Sequence, residues 1–293
     1  MALHGNSQKT QNVDEIVDAI KTKYKIVGRD KELKKLVIAR IAKMHALIEG
    51  PVGVGKTTLA AAIADYFDQR FIRVDGDERF TESKMVGFFD PPLVISKGWS
   101  WDSFIPGPLT KAMREGGILL LNEVNRLPEG TQNALLPALD EGIIEIPKLG
   151  ELQAKDGFMV IATQNPEEYV GTSVLSEALK DRFVWIPLSY QSEEEEMEIT
   201  KLRSGISDEN IVKFAVSVVR ATRKHPDISR GASVRGAIDI ARMFKVIKKF
   251  DLPTAIDITI ASIGRKIELE ESCEDSVETV LENIVRDIFA KNF

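Results

Sequence analysis

The octapeptide GPVGVGKT spans Gly50 to Thr57 and follows a short apolar run at residues 46–48. It matches the pattern G-x-x-x-x-G-K-[ST], and apolar residues with helical spacing continue over residues 57–67. Glycines allow backbone N–H groups of such a turn to approach phosphate oxygens, and the N-terminus of a following helix adds a favourable dipole. A purely structural glycine turn gives no reason for a Lys-Thr pair to follow it. The octapeptide therefore predicts a phosphate-binding loop between a strand and a helix.

The loop also predicts the ligands. Lys56 is expected to reach the β- and γ-phosphates, and the Thr57 hydroxyl is expected to ligate Mg²⁺. The cofactors expected are therefore ATP and Mg²⁺. The residues of this segment predicted to contact the nucleotide are Pro51, Val52, Gly53, Val54, Gly55, Lys56, Thr57 and Thr58.

Five short apolar runs predict strands that are buried on both faces. They lie at residues 46–48, 71–74, 118–121, 159–162 and 183–187. Segments with helical spacing lie between them, including residues 109–115 and 131–141, and this alternation predicts an α/β fold with a five-stranded parallel sheet flanked by helices. After residue 190 the strands stop, and amphipathic helices are predicted at residues 192–202, 208–223, 232–249, 253–263 and 275–289. We therefore expect a P-loop α/β domain at residues 1–190 and an all-helical lid domain at residues 191–293.

The composition excludes several classes of protein. The net charge of −6 is shared evenly, with 23 basic and 26 acidic residues up to residue 190 and 16 and 19 after it, so no nucleic acid partner is expected. The single cysteine, Cys273, cannot form an internal disulfide bond. The N-terminus lacks the basic and apolar regions of a secretion signal, and no apolar run reaches the length of a membrane span. We expect a cytoplasmic protein with no membrane partner.

A second candidate site lies at residues 117–126, with the sequence GILLLNEVNR. This is a buried strand that ends in polar residues, where P-loop proteins carry the acidic side chains that serve Mg²⁺ and the attacking water. Glu123 is the natural base. Strands also become polar simply because they leave the core, so it is the position after the phosphate loop that favours the functional interpretation.

Three further motifs follow in order along the chain: ATQNP at residues 162–166, LSEALKDRF at 175–183 and GASVRGA at 231–237. Together with the phosphate loop they resemble the MoxR family of AAA+ ATPases, a clade with a helix-2 insert whose relatives include magnesium chelatase. The resemblance extends from about residue 26 to about residue 245, and it implies the P-loop AAA+ fold.

The resemblance implies roles for individual residues. Asn165 matches sensor 1, which positions the attacking water, and Arg182 matches the arginine finger, which acts in trans on the ATP of a neighbouring subunit. Arg235 matches sensor 2, which contacts the γ-phosphate within the same subunit. Val27 and Gly28 match the segment that lies near the adenine.

Two insertions also match this family. Residues 88–108 resemble the helix-2 insert, and residues 143–156 resemble the pre-sensor-1 β-hairpin, which their alternating pattern also favours. The aromatic residues Trp99, Trp101 and Phe104 either form a surface for a partner or pack the insert against the core. The sequence leaves both interpretations open.

This chain departs from the family pattern at one position, where Asn122-Glu123 replaces the usual Asp-Glu. Asn122 can still accept a hydrogen bond from a metal-bound water through its amide oxygen. A neutral side chain attracts Mg²⁺ less than a carboxylate does, so the sequence predicts a higher magnesium requirement than in an Asn122→Asp variant.

The resemblance implies a hexameric ring that hydrolyses ATP and remodels or activates a client protein, as a chaperone-like or metal-insertion factor with a partner bearing a von Willebrand factor A domain. One alternative is a magnesium-chelatase-like motor subunit. Another is a structural switch that binds ATP without hydrolysing it, which would suit Asn122. A helicase resembling the minichromosome maintenance proteins is disfavoured by the acidic balance of both parts of the chain.

Overall fold

The structure, a computed structural model, describes residues 12–166 and 175–292 of the 293-residue chain. Residues 1–11, on which the expectation of no secretion signal depends, lie outside the described part. Two compact units divide the chain, Met1–Pro51 with Gly55–Leu188 and Val52–Val54 with Ser189–Phe293. Within the described part, every helix is too short or too polar to cross a membrane.

Eleven strands occur in the described part of the chain. They are β1 His45–Glu49, β2 Phe71–Asp75, β3 Gly87–Phe89, β4 Phe104–Pro106, β5 Ile118–Asn122, β6 Ile143–Ile146, β7 Gly150–Gln153, β8 Met159–Gln164, β9 Phe183–Pro187, β10 Ile228–Arg230 and β11 Glu268–Leu269.

The α-helices are α1 Val13–Tyr24, α2 Asp30–Ile41, α3 Lys56–Tyr66, α4 Glu82–Val86, α5 Pro91–Lys97, α6 Pro108–Glu115, α7 Glu129–Asn133, α8 Leu136–Asp140, α9 Glu177–Lys180, α10 Glu193–Ser204, α11 Glu209–Thr222, α12 Val234–Ile247, α13 Leu252–Ile263 and α14 Val277–Asn292. A 3₁₀ turn, Val124–Arg126, follows β5.

Five strands of the first unit form one parallel sheet in the order β2-β5-β8-β1-β9. Residues 118–121 of β5 are fully buried. Such continuous apolar runs suit a sheet that is covered on both faces, where neither side of a strand meets water. The predicted sheet is confirmed, and each predicted strand lies within an observed one.

The helix predicted at residues 131–141 is wrong as one continuous element. Two short helices, α7 and α8, occupy this region. Pro137 lies in the first turn of α8, where its missing N–H group costs nothing. In the middle of one longer helix the same residue would remove a backbone hydrogen bond, so the chain starts a new helix instead.

The second unit is helical, as expected, and its five helices are α10 to α14. Helix α10 begins with a capping box in which Ser192 and Glu195 exchange hydrogen bonds, and four glutamates occupy its first turn. Phe214 and Phe244, on α11 and α12, are fully buried and meet edge to face in the core of this unit. A short antiparallel ladder of β10 and β11, which the sequence did not predict, accompanies the helices.

The hairpin predicted at residues 143–156 is confirmed. Strands β6 and β7 pair antiparallel, with Ile143 opposite Gln153 and Ile146 opposite Gly150. Ile144 and Ile146 are buried, so one face of β6 belongs to the core of the first unit.

The region predicted as an insert contains a third antiparallel ladder, β3 with β4, and helix α5 between them. Phe104 is buried and meets Phe89 and Trp101 edge to face. Trp99 also meets Phe89 edge to face, but its side chain is 57% exposed. The nearby Ile95 is 88% exposed. Phe104 thus packs the insert against the core of the first unit, while Trp99 presents apolar surface outward.

Candidate nucleotide-binding site

The carboxyl ends of the parallel strands meet at one edge of the sheet, which is where open α/β sheets bind ligands. The phosphate loop leaves β1 after Glu49, and the polar pair Asn122-Glu123 lies at the end of β5. Strand β8, between them, ends at Gln164, whose amide donates a hydrogen bond to the Glu49 carboxylate. The sheet therefore brings the two sequence motifs to the same edge.

The loop depends on glycine at two positions for different reasons. A Cβ atom at Gly50 would lie 2.3 Å from the carbonyl oxygen of Leu188, so any side chain would collide with the backbone. Gly55 has open space around it but a φ of 98°, a conformation that L-residues with side chains rarely adopt. Helix α3 begins directly after Gly55, so its first N–H groups face the loop.

The Lys56 ammonium group lies across the loop. It donates hydrogen bonds to the carbonyl oxygens of Gly50 and of Pro51, the latter at 2.9 Å. The beginning of the loop therefore holds the cation beside the backbone that would cradle phosphates. Thr57 and Thr58 occupy the first turn of α3, which places the Thr57 hydroxyl at the helix N-terminus, as the sequence predicts for a magnesium ligand.

A hydrogen-bond network joins three strands beside the loop. The buried Thr163 hydroxyl of β8 accepts from the backbone N–H of Glu123 at 3.1 Å and donates to the amide oxygen of Asn122 at 3.0 Å. The amide nitrogen of Asn122 donates to the Asp75 carboxylate of β2 at 2.9 Å. Asn122 is thus fixed on both sides, by a neighbour on each adjacent strand.

Glu123, the predicted base, has a left-handed backbone with φ 57° and ψ 53°. Such a conformation is uncommon for a residue other than glycine and is found preferentially at functional sites. A Cβ atom at Gly76 would lie 2.1 Å from the Glu123 carbonyl oxygen, so the turn after β2 must stay bare to admit this backbone. The Glu123 carboxylate pairs with Arg126 at 3.0 Å.

Asn165, the predicted sensor 1, directly follows β8 and is 4% exposed. It therefore lies at the same edge of the sheet as the phosphate loop and Glu123. A buried amide at this place must have its hydrogen bonds met from within the protein or from a ligand.

Arg182, the predicted arginine finger, lies at the opposite edge. It immediately precedes Phe183, which pairs in register with His45, the first residue of β1. The loop follows the last residue of β1, and a five-residue strand spans about 16 Å. Arg182 is therefore out of reach of the phosphate loop of its own chain.

The Arg182 side chain is held by three hydrogen bonds. Its Nε and Nη2 atoms grip the Asp140 carboxylate at 2.7 and 2.9 Å, and Nη1 donates to the carbonyl oxygen of Ala178 at 2.5 Å. The hydrogen bonds from Arg182 lower the pKa of Asp140, and those to Asp140 raise the pKa of Arg182. This planar, two-point pairing presents the guanidinium group in a defined orientation.

The remaining predicted residues fall in two places. Val27 and Gly28 precede α2 in the first unit, and the next residue, Arg29, is 8% exposed with a φ of 64°. Arg235 lies in the first turn of α12, in the second unit, and its side chain is exposed.

Sequence reasoning missed Asp75 and Thr163. Asp75 follows the predicted strand at residues 71–74 and pairs in register with Asn122. The polar residue at the end of each predicted strand was the available signal. Which strands are neighbours, however, is set by the order of the sheet and not by the order of the chain.

The family model described as "AAA domain (dynein-related subfamily)" matches residues 45–183. YeaC of Bacillus subtilis is 31% identical over 231 residues, which cover 70% of this chain and 69% of YeaC. The gas vesicle ATPase GvpN of Haloferax mediterranei is 30% identical over 234 residues, covering 74% and 67%. The chain belongs to the dynein-related, MoxR-type AAA family. The predicted resemblance is confirmed.

Solved structures agree with the fold of this AAA protein. A protein from Cytophaga hutchinsonii superposes with a TM-score of 0.53 over 94% of each chain, at 23% identity. The RuvB Holliday junction branch migration motor of Thermotoga maritima gives a TM-score of 0.51 over 81% of this chain and 69% of RuvB, at 20% identity. At such identities these likenesses concern the fold, and they confirm a P-loop AAA+ architecture.

Proposed function

We propose that this AAA protein binds and hydrolyses ATP at the carboxyl edge of its sheet and that a ring of subunits uses this cycle to remodel or activate a client protein. The observation that carries the proposal is the meeting of the phosphate loop, Glu123 and Asn165 at one edge of the sheet. The membership of the AAA family and the naming of the relative GvpN as an ATPase support the same chemistry.

Each residue of the proposed site has its own role in binding or hydrolysis. Lys56 and the N–H groups of the loop and of α3 hold the phosphates, and Glu123 takes a proton from the attacking water that Asn165 orients. The Thr57 hydroxyl is a hard oxygen donor of the kind that Mg²⁺ prefers, and the amide oxygen of Asn122 can accept a hydrogen bond from a metal-bound water, so the residues present fit this cation. When bound, Mg²⁺ neutralises charge on the phosphates.

Arg182 is proposed to complete the site of the neighbouring subunit. Its place at the amino edge of the sheet, out of reach of its own loop, supports action in trans. Arg235 is proposed as sensor 2, and Val27 and Gly28 as the segment near the adenine. A finger in trans requires a neighbouring copy of the chain, and the family resemblance implies that the copies form a hexameric ring.

A client protein with a von Willebrand factor A domain is the partner proposed from the family resemblance. The exposed Trp99 and Ile95 of the insert offer apolar surface that a client could cover. A magnesium-chelatase-like motor remains the alternative within the same clade, and pull-down with each class of partner separates the two.

The proposed binding site is tested by Lys56→Ala. An ammonium group between two phosphates cannot be replaced by water at the same geometry, so this variant should lose most of its affinity for ATP. Fluorescence titration with a labelled ATP measures the loss, and Lys213→Ala on the exposed face of α11 is the matched control. A folded Lys56→Ala chain that binds ATP like the wild type would refute the proposed site.

The second candidate function is a switch that binds ATP without hydrolysing it, and the neutral Asn122 favours it. Glu123→Gln decides between the two functions, because an amide cannot accept the proton of the attacking water. For a motor, the variant should keep ATP binding and lose steady-state phosphate release. If assembled wild-type rings release no phosphate, the switch takes the place of the motor. If the wild type and Glu123→Gln release phosphate at the same rate, Glu123 is not the base.

A further inference from the structure

Asp75 and Asn122 form a pair across neighbouring strands at the proposed nucleotide site. They are partners in the parallel register of β2 and β5, and the amide nitrogen of Asn122 donates to Asp75 Oδ1 at 2.9 Å. Partners in register on adjacent strands project to the same face of the sheet. The carboxylate of β2 therefore lies beside the position where the family pattern places an aspartate on β5.

The orientation of the Asn122 amide follows from its neighbours. Thr163 accepts the backbone N–H of Glu123, so its own proton is free to be donated to an acceptor, and the Asn122 oxygen receives it. The Asn122 nitrogen is then directed at Asp75, and a carboxylate can only accept. In the flipped orientation the Asn122 NH₂ group would face the hydroxyl proton of Thr163, and its oxygen would face the Asp75 carboxylate, so both hydrogen bonds would be lost. The network therefore determines the orientation of the amide.

This arrangement suits one carboxylate and one amide, but not two carboxylates. An aspartate at position 122 would put like charges at the distance of a hydrogen bond and would have no proton to give Asp75. By contrast, a double variant that carries Asn at position 75 and Asp at position 122 would keep one negative charge and one hydrogen bond between the two side chains. The position at which this chain departs from the family pattern is thus in hydrogen-bond contact with a carboxylate on the adjacent strand.

Arg73 is the other partner of Asp75. Its Nη2 and Nε atoms donate to Oδ1 at 2.6 and 2.9 Å, and Nε also lies 3.1 Å from Oδ2. Arg73 and Asp75 are two residues apart on β2, and both side chains are largely exposed, at 47% and 61%. The carboxylate is therefore oriented by two donors, one of which is a guanidinium group that offsets part of its charge, and it stays accessible to solvent.

We propose that Asp75 supplies the negative charge of the magnesium site that Asn122 lacks, with Asn122 as the residue that positions it, in an inference that rests on the function proposed above. The acidic charge of the site then lies on β2, beside Asn122 of β5. Asn122→Asp alone then does not lower the magnesium requirement as the sequence predicts, because the new carboxylate opposes Asp75.

The experiment measures how strongly Mg²⁺ tightens the binding of a non-hydrolysable ATP analogue. Its dissociation constant is determined with Mg²⁺ and with EDTA, and the ratio is compared among the wild type, Asp75→Asn, Asn122→Asp and the double variant. Glu78→Gln, an exposed residue of the same segment, is the control for loss of one charge. Circular dichroism and thermal unfolding verify that each variant is folded.

Asp75→Asn should reduce the ratio roughly ten-fold, since it removes a unit charge near a divalent cation, and should leave binding in EDTA unchanged. Asn122→Asp should restore the ratio in the Asp75→Asn background but not raise it in the wild type, and Glu78→Gln should change nothing. The opposite outcome is a ratio for Asp75→Asn equal to that of Glu78→Gln, or an Asn122→Asp effect that is the same in both backgrounds. Either result would make the pair a structural contact only.

The same titration separates this inference from the proposed function. If the wild type fails to bind the analogue even with Mg²⁺, the nucleotide site itself is refuted. If the wild type binds it and responds to Mg²⁺ while Asp75→Asn responds equally, ATP binding stands and only the role of Asp75 falls.

Discussion

The two edges of the parallel sheet differ in what they hold. The carboxyl edge carries the phosphate loop, Glu123 and Asn165, and its side chains are fixed by hydrogen bonds between neighbouring strands. The amino edge carries Arg182, gripped by Asp140, and His45, which is buried. A single subunit thus presents the proposed parts of one ATP site at one edge and the proposed part of a neighbouring subunit's ATP site at the opposite edge. This separation predicts that damage at the two edges can be complemented between subunits.

The largest expected effect is the loss of ATP hydrolysis when Arg182, at the amino edge of the sheet, is replaced. Arg182→Ala should bind ATP nearly normally, because Arg182 cannot reach its own loop, and should hydrolyse it some 10³-fold more slowly, a typical loss for an arginine finger. Mixing this variant with Lys56→Ala chains should recover part of the phosphate release, since each chain then supplies the part that the other lacks.

Two controls accompany the mixing experiment. Arg79→Ala, at an exposed position of the first unit, should leave hydrolysis unchanged, and size-exclusion chromatography must show that the mixed chains assemble together. Mixed rings without any recovery would mean that Arg182 acts within its own subunit or only on the structure.

The next effect concerns stability and His45. Desolvation by burial lowers the pKa of His45 to about 4, and a hydrogen bond with the backbone of Leu139 is the smaller, opposing cause. The unfolded chain binds the proton with an ordinary pKa near 6.5, so acid favours unfolding. The contribution of neutral His45 to the free energy of unfolding is therefore fully present above pH 6.5, decreases as the pH falls towards 4 and does not change further below that pH. The loss from this group is about 3 kcal/mol.

Urea unfolding from pH 7.5 to pH 3.5 measures this loss. His45→Gln should flatten the dependence between pH 6.5 and pH 4, whereas His225→Gln, in the second unit, should follow the wild type. Equal slopes for all three chains would show that His45 is not the group that titrates.

The smallest expected effect tests whether Asp140 orients Arg182 for the neighbouring subunit. Asp140→Asn breaks an exposed ion pair, so the melting temperature should change little. Hydrolysis in assembled rings should fall roughly ten-fold, because the guanidinium group loses the two-point contact that orients it. Phosphate release against ring concentration measures the effect. A faster rate would mean that Asp140 withholds Arg182 from the neighbouring site instead of presenting it.

Much of the carboxyl edge could be predicted from the sequence, because its signals are local. The strand, the glycine turn and the helix of the phosphate loop are contiguous, and each buried strand is an unbroken apolar run. The helix predicted at residues 131–141 was wrong as one element, because Pro137 begins a second helix there. Asn122 was noticed only because one residue departed from a known pattern.

The sequence by itself determined the phosphate loop, the five strands of the sheet and the helical character of the C-terminal part, since turn chemistry and hydrophobic period act over a few neighbouring residues. Only the tertiary structure decided that Asp75 lies beside Asn122, that Thr163 orients it, and that Arg182 and the loop occupy opposite edges. These relations depend on which strands become neighbours and on which of their ends coincide. Strand order is selected by packing the whole sheet between its helices, so residues 47 positions apart become partners in one hydrogen bond.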